Sequence, residues 1–167
     1  GVGRKFQRPT VFEDQSVFDN LLLALRKDRG PLSVLFYRRA AADADRVREL
    51  AGEIGLADHL PRKSGELSHG QKQWLEIGMV LLNEPDLILL DEPTAGMTLA
   101  ETARTADLIR QVLRGKTTLV IEHDIAFVRR LEAPVTVLFR GKVMRDGSFE
   151  EIAADEHVRR IYLGENP

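Results

Sequence analysis

Leu87-Ile-Leu-Leu-Asp-Glu-Pro93 is the stretch on which the fold turns. Four apolar residues run straight into two carboxylates, and a proline that cannot continue a hydrogen-bonded ladder follows. A short apolar run bounded by Pro85-Asp86 and Glu92-Pro93 fits a strand buried on both faces, the usual state in a parallel sheet. Open α/β sheets bind ligands beyond the carboxyl ends of their strands, where Asp91 and Glu92 stand. Adjacent acids there suit a metal contact beside a base or water-orienting group. A core strand with a solvated acidic turn is the plainer alternative, and the stretch alone leaves both open.

At 167 residues the chain is long enough for one ordinary domain with a proper core. It is 43% apolar and 30% charged, the composition of a soluble globular protein. Lys plus Arg (24) nearly balances Asp plus Glu (26), so bulk charge gives no case for nucleic-acid binding. The absence of cysteine excludes disulfides, thiolate metal sites and a Cys nucleophile, and it fits a reducing compartment. The longest apolar run, Ile77–Leu82, is six residues and far short of a membrane span.

Outward from the central stretch, the second half alternates strand and helix. Ala100–Leu113 reads as a helix closed by Gly115, Thr117–Ile121 as a strand, and Ile125, Val128 and Leu131 as one face of a short helix. Val135–Phe139 and Lys142–Arg145 form a hairpin about Gly141, and Ser148-Phe-Glu-Glu151 is a capping box. This alternation predicts an α/β fold with a parallel sheet. The first half is mostly helical after a weak strand over Val2–Gln7. A helix capped by Ser16 carries Phe18, Leu21, Leu22 and Leu25 and stops near Gly30-Pro31. A second carries Val47, Leu50, Ala51 and Ile54 and stops at Gly55. Pro61–Glu66 reads as a polar loop.

The second informative stretch is Leu67-Ser-His-Gly-Gln-Lys-Gln73, just before a helix running to about Asn83. A hydroxyl and a glycine at a helix start bring backbone N–H groups, a Ser Oγ and a positive dipole end towards one point. Ordinary N-capping accounts for Ser68. It does not account for Gly70 and Gln71 following in that order.

Together the two stretches resemble the ATP-binding cassette family. Leu67–Gln71 looks like its signature motif, with His69 where the usual pattern has glycine, and Leu87–Glu92 looks like its Walker B strand. His123, closing an apolar strand, matches the switch histidine, and Phe6-Gln7 before a polar loop resembles the Q-loop. The resemblance implies a partial P-loop NTPase core with a helical signature subdomain over about residues 10–85. Residues 86–167 then form half of the catalytic core and the C-terminal helices. It also implies ATP and Mg²⁺ as cofactors. Asp91 holds the metal, with Gln7 approaching metal and water; Glu92 acts as general base, and His123 contacts the γ-phosphate and Glu92. Ser68, His69, Gly70 and Gln71 close over nucleotide held by a second copy, which makes a head-to-tail dimer part of the mechanism.

A complete nucleotide site also needs a Gly-x-x-x-x-Gly-Lys-[Ser/Thr] loop between strand and helix. Gly65–Gly70 has the glycine spacing but Gln71 precedes Lys72, and Gly115-Lys116-Thr117 sits in the reversed order, helix then strand. In the family this loop lies upstream of the Q-loop. The chain, opening Gly1-Val2-Gly3 without methionine, is therefore expected to be a piece of a longer subunit and inactive alone. The loop's own strand belongs between those matching Thr117–Ile121 and Val135–Phe139, so exposed edges are expected there.

Thr98 stands in Thr94-Ala-Gly-Met-Thr98 where many members have aspartate. That loop, with Glu122-His123-Asp124, resembles the importers of branched-chain amino acids and urea. The implied partners are a second ATPase subunit and a membrane permease, with no nucleic acid, and the implied location is peripheral on the cytoplasmic face of the membrane. Val34-Leu-Phe-Tyr37 and Arg38-Arg39 could dock the permease, although a helix packed into the subdomain is the simpler account. The alternatives are a non-transport member of the superfamily, acting on DNA or ribosomes, and a non-catalytic fragment.

Overall fold

The computed structural model describes residues 1–5, 11–25 and 41–163. Gln7 and the Val34–Arg39 stretch lie outside these residues. The chain divides into two compact units, Gly1–Glu122 and His123–Pro167.

The first unit is built on a three-stranded parallel sheet in the order β1-β2-β3, with β1 Val2–Lys5, β2 Leu87–Asp91 and β3 Thr117–Ile121. The central strand is β2. Its register sets Val2 against Leu87 on one side and Asp91 against Ile121 on the other. The expectation of burial on both faces holds for only one of them. Ile88 and Leu90 are each 1% exposed, whereas Leu87, Leu89 and Asp91 on the opposite face are half-buried. The period of two separates these sets, and only the Ile88/Leu90 face is fully covered. Among the described residues β3 pairs only with β2, and Leu119 and Ile121 along it are exposed.

Three helices, α1 (Val17–Ala24), α2 (Ala41–Glu53) and α3 (His69–Leu81), pack together in the same unit. Their contact is tight at Gly78, where an added Cβ would lie 2.7 Å from Ile54 Cδ1 and 3.2 Å from Leu21 Cδ2. Helix α1 ends at Ala24, where Leu25 leaves the helical region (ψ 128°), well before Gly30-Pro31. The buried positions of α1 are Val17, Asn20, Leu21 and Ala24, so its inner stripe is rotated from the expected one. Asn20, fully buried, explains that rotation. Its amide accepts from the Phe12 N–H at 2.8 Å and donates to the Ser16 carbonyl at 3.0 Å, bracing the segment before the helix. Residues 61–66 are also more ordered in character than a polar loop. Ser64 opens a short 3₁₀ turn, is fully buried, and donates to the Phe12 carbonyl at 2.8 Å. Gly55, with φ of 71°, sits past the end of α2 as its spacing predicted.

Helix α4 (Leu99–Val112) connects β2 to β3. Trp74 of α3 donates its indole N–H to Thr105 of α4 at 2.9 Å, and the Arg104 guanidinium lies 4.4 Å from the Trp74 ring centroid. A buried indole needs such a partner.

The second unit contains α5 (Ile125–Leu131), strands β4 (Val135–Phe139) and β5 (Lys142–Gly147), and α6 (Phe149–Ala154). The strands form the expected antiparallel hairpin. Its two-residue loop, Arg140-Gly141, has φ of 49° and 75°, the left-handed pair that matches the twist of a tight hairpin. Val137, Ile152 and Val158 make its small core. Ser148 and Glu151 form the capping box read from the sequence.

Candidate active site

Asp91 closes β2, and its carboxylate is about one-third exposed, with Arg4 Nη2 of β1 at 3.9 Å. The ladder continues one residue beyond the strand, since the Glu92 N–H donates to the Ile121 carbonyl at 2.9 Å. Glu92 itself has φ of 44°, in the left-handed region. For a non-glycine residue that conformation costs about 1–2 kcal/mol. It persists because the turn is held on both sides. Pro93 cannot extend the strand, and the Ala95 N–H closes back on the Glu92 carbonyl at 3.2 Å. Beyond it, Thr94, only 7% exposed, donates its N–H to Glu122 Oε1 at 3.0 Å, and its hydroxyl donates to the same oxygen.

The loop after the acids leads to α4 and on its way packs against the start of α3. His69 Nε2 bonds the Ala95 carbonyl at 2.9 Å, and its ring lies against Gly96, whose φ of 74° suits glycine. Thr98 caps α4 in a full capping box with Glu101. Glu101 Oε2 accepts from the Thr98 N–H and hydroxyl at 3.0 and 2.9 Å, and Oε1 accepts from the Ser68 hydroxyl at 3.2 Å. The Thr98 N–H, followed by the two hydroxyls and the nearby His69, holds the Glu101 carboxyl below the usual range. One carboxylate therefore touches the starts of both α3 and α4.

The same geometry gives Ser68, Gly70 and Gln71 structural roles beside the one read from Leu67–Gln71. Capping joins Ser68 and Gln71, and close packing explains Gly70. Ser68 accepts from the Gln71 N–H at 3.2 Å, and Gln71 Oε1 accepts from the Ser68 N–H at 3.0 Å, a closed box. Gln71 Nε2 also reaches His59 Nε2 at 3.0 Å. Gly70 is buried, and a Cβ there would stand 2.8 Å from Glu101 Oε1. Glycine and glutamine are thus needed by the fold in that order, whatever else they do.

The structure brings Ser68, His69, Gly70 and Gln71 to one helix start, and a single loop links that start to Asp91 and Glu92. His123 is exposed and opens the second unit. Arg4 and Glu101 were not singled out in the sequence, and Thr94 and Glu122 entered it only within the two stretches that resemble the importers. Glu101 carried a signal of its own, the Thr98-x-x-Glu101 capping pattern.

A central parallel strand ending in adjacent acids, with a helix on the crossover to the next strand, is an open α/β arrangement consistent with the P-loop NTPase class. Comparison with known proteins narrows this. The ABC transporter family model matches residues 1–95. A high-affinity branched-chain amino acid transport ATP-binding protein, LivG, of Salmonella typhimurium is 34% identical over 174 aligned residues, covering 99% of this chain and 68% of the relative. The probable LivG of Methanocaldococcus jannaschii is 33% identical with the same coverage. The crystal structure of the ADP conformation of an ATP-binding cassette of an ABC transporter superposes with a TM-score of 0.78 at 29% identity. That match covers 99% of this chain and 69% of the other. This chain belongs to the ABC transporter family and is one of its ATP-binding subunits. Among the described residues no helix is long and apolar enough to cross a membrane.

Proposed function

We propose that this chain is part of the ATP-hydrolysing subunit of an importer for amino acids or urea-like amides, working against a membrane permease on its cytoplasmic side. The observation that carries this reading is the pair Asp91 and Glu92 at the carboxyl end of β2, with Glu92 held in a strained, bonded turn. The amino-acid class rests on the similarity to LivG proteins.

Asp91 is the metal ligand in this proposal. It offers a partly exposed, hard oxygen donor, and among the described residues no cluster of three or more His, Cys, Asp or Glu side chains closes around a point. A small number of protein carboxylates suits Mg²⁺, which keeps most of its shell for water and phosphate oxygens. Bound with nucleotide, the ion would neutralise phosphate charge. Glu92 orients and deprotonates the attacking water, and His123 contacts the γ-phosphate. Gln7, outside the described residues, keeps its proposed place beside metal and water. Ser68, His69 and Gly70 face nucleotide on a second, head-to-tail copy, and Gln71 serves by holding that helix start closed.

The test is made with the full-length subunit expressed beside its candidate permease. Co-purification from membranes, together with ATP-dependent uptake of branched-chain amino acids or urea into vesicles, is the expected result. A subunit that associates with ribosomes or DNA and with no permease would overturn the transport reading.

A further inference from the structure

We infer that Glu122 is a positioning residue for hydrolysis, holding the turn that presents Glu92. This inference rests on the proposed role of Glu92 as the base. Three observations carry it. Glu92 is in the left-handed region, so its carboxylate direction depends on a backbone conformation that the residue does not itself prefer. Two residues later, Thr94 is almost completely buried, and both its N–H and its hydroxyl donate to the one oxygen Glu122 Oε1. Glu122 in turn follows directly on β3, whose Ile121 carbonyl accepts the Glu92 N–H at 2.9 Å.

The end of β3 thus grips the turn at two points, once through its backbone at Glu92 and once through a side chain at Thr94. The backbone bonds of Glu92, its N–H to Ile121 and its carbonyl from the Ala95 N–H, fix the near side of the turn and leave the direction of the Thr94 N–H to be set by its own partner. The carboxylate bond sets that direction, because the Thr94 N–H has to point at Glu122. Charge-assisted bonds to a carboxylate are shorter and stronger than neutral ones, which suits a clamp that opposes local backbone strain. Small displacements of a reacting group weigh heavily on turnover, and a shift near 1 Å can cost about 10²-fold.

The experiment compares Glu122→Ala, Glu122→Gln and Glu92→Gln in the full-length subunit with its permease, and follows amide hydrogen exchange of Glu92, Thr94 and Ala95, or of the residue in their place, in each. Glu122→Ala is expected to lower kcat by roughly 10- to 100-fold with KM for ATP nearly unchanged, the cost typical of losing an outer partner of a reactive group. Thr94 exchange should accelerate while the β2 amides keep their protection. Glu122→Gln retains an oxygen that can accept both bonds, so most of kcat and the slow Thr94 exchange should return. Wild-type kcat in Glu122→Ala would overturn the inference, as would equal losses in both Glu122 variants with Thr94 exchange unchanged. Undiminished turnover in Glu92→Gln would overturn the reading of Glu92 instead, and the exchange data would still report on the clamp.

Discussion

Ser68 is where the structure makes an expectation that runs against the usual rule for helix starts. Asn and Asp cap helices about as well as Ser, and the helix dipole favours the acid. On that basis Ser68→Asp should be at least as stable as Ser68→Asn. In this chain the Ser68 hydroxyl lies 3.2 Å from Glu101 Oε1, whose charge is already fixed by Thr98. A second carboxylate about 4 Å away costs about 1 kcal/mol in bulk water and about 4 kcal/mol at the effective permittivity of a protein surface. Ser68→Ala removes the acceptor of the Gln71 N–H and the donor to Glu101 Oε1, a combined loss of about 1–2 kcal/mol. The predicted order of stability at neutral pH is wild type close to Ser68→Asn, then Ser68→Ala, with Ser68→Asp lowest or level with Ala. Urea unfolding at low salt measures the series, and raising the salt should narrow the gap between Asp and Asn. Ser68→Asp as stable as Ser68→Asn at low salt would refute the placement of Glu101 beside this helix start.

Gly78→Ala should be neutral to destabilising by up to about 2 kcal/mol, because overpacking against Ile54 and Leu21 costs about 1–3 kcal/mol against a helix gain near 1. Gly52→Ala, in α2 with open space around it, should stabilise by about 0.5–1 kcal/mol, and the opposite signs are read from paired urea midpoints. The depressed Glu101 carboxyl contributes stability that is present above the ordinary glutamate range and is lost as pH falls through its lowered folded value. Glu101→Gln should therefore flatten the acid limb of the unfolding midpoint against pH, whereas an unchanged limb would show that Glu101 takes no part. His69→Gly deletes the bond to the Ala95 carbonyl and adds a flexible residue to the first turn, for a combined loss of roughly 1–2 kcal/mol in the same assay.

What was legible in the sequence was local. The apolar run ending in Asp91 and Glu92, the caps at Ser16, Ser68 and Ser148, and the hairpin about Gly141 each follow from neighbours within a few residues. The links that shape the site join residues far apart in the chain. Thr94 meets Glu122 across 28 positions and Ser68 meets Glu101 across 33. No periodicity announces such a pair. Gly70 shows the same limit from the other side, because the carboxylate that fills the space beside it comes from another helix. The outer face of β2 was misjudged for a similar reason, since an apolar run states what a strand prefers and not how completely its neighbours cover it.

The most direct test of the central claim is ATP turnover and ATP affinity measured together in the Glu92→Gln form of the full-length subunit. If Asp91 and Glu92 divide metal binding and water activation between them, hydrolysis falls by about 10²-fold or more while nucleotide and Mg²⁺ still bind. Hydrolysis at the wild-type rate, or loss of binding together with loss of turnover, would contradict it.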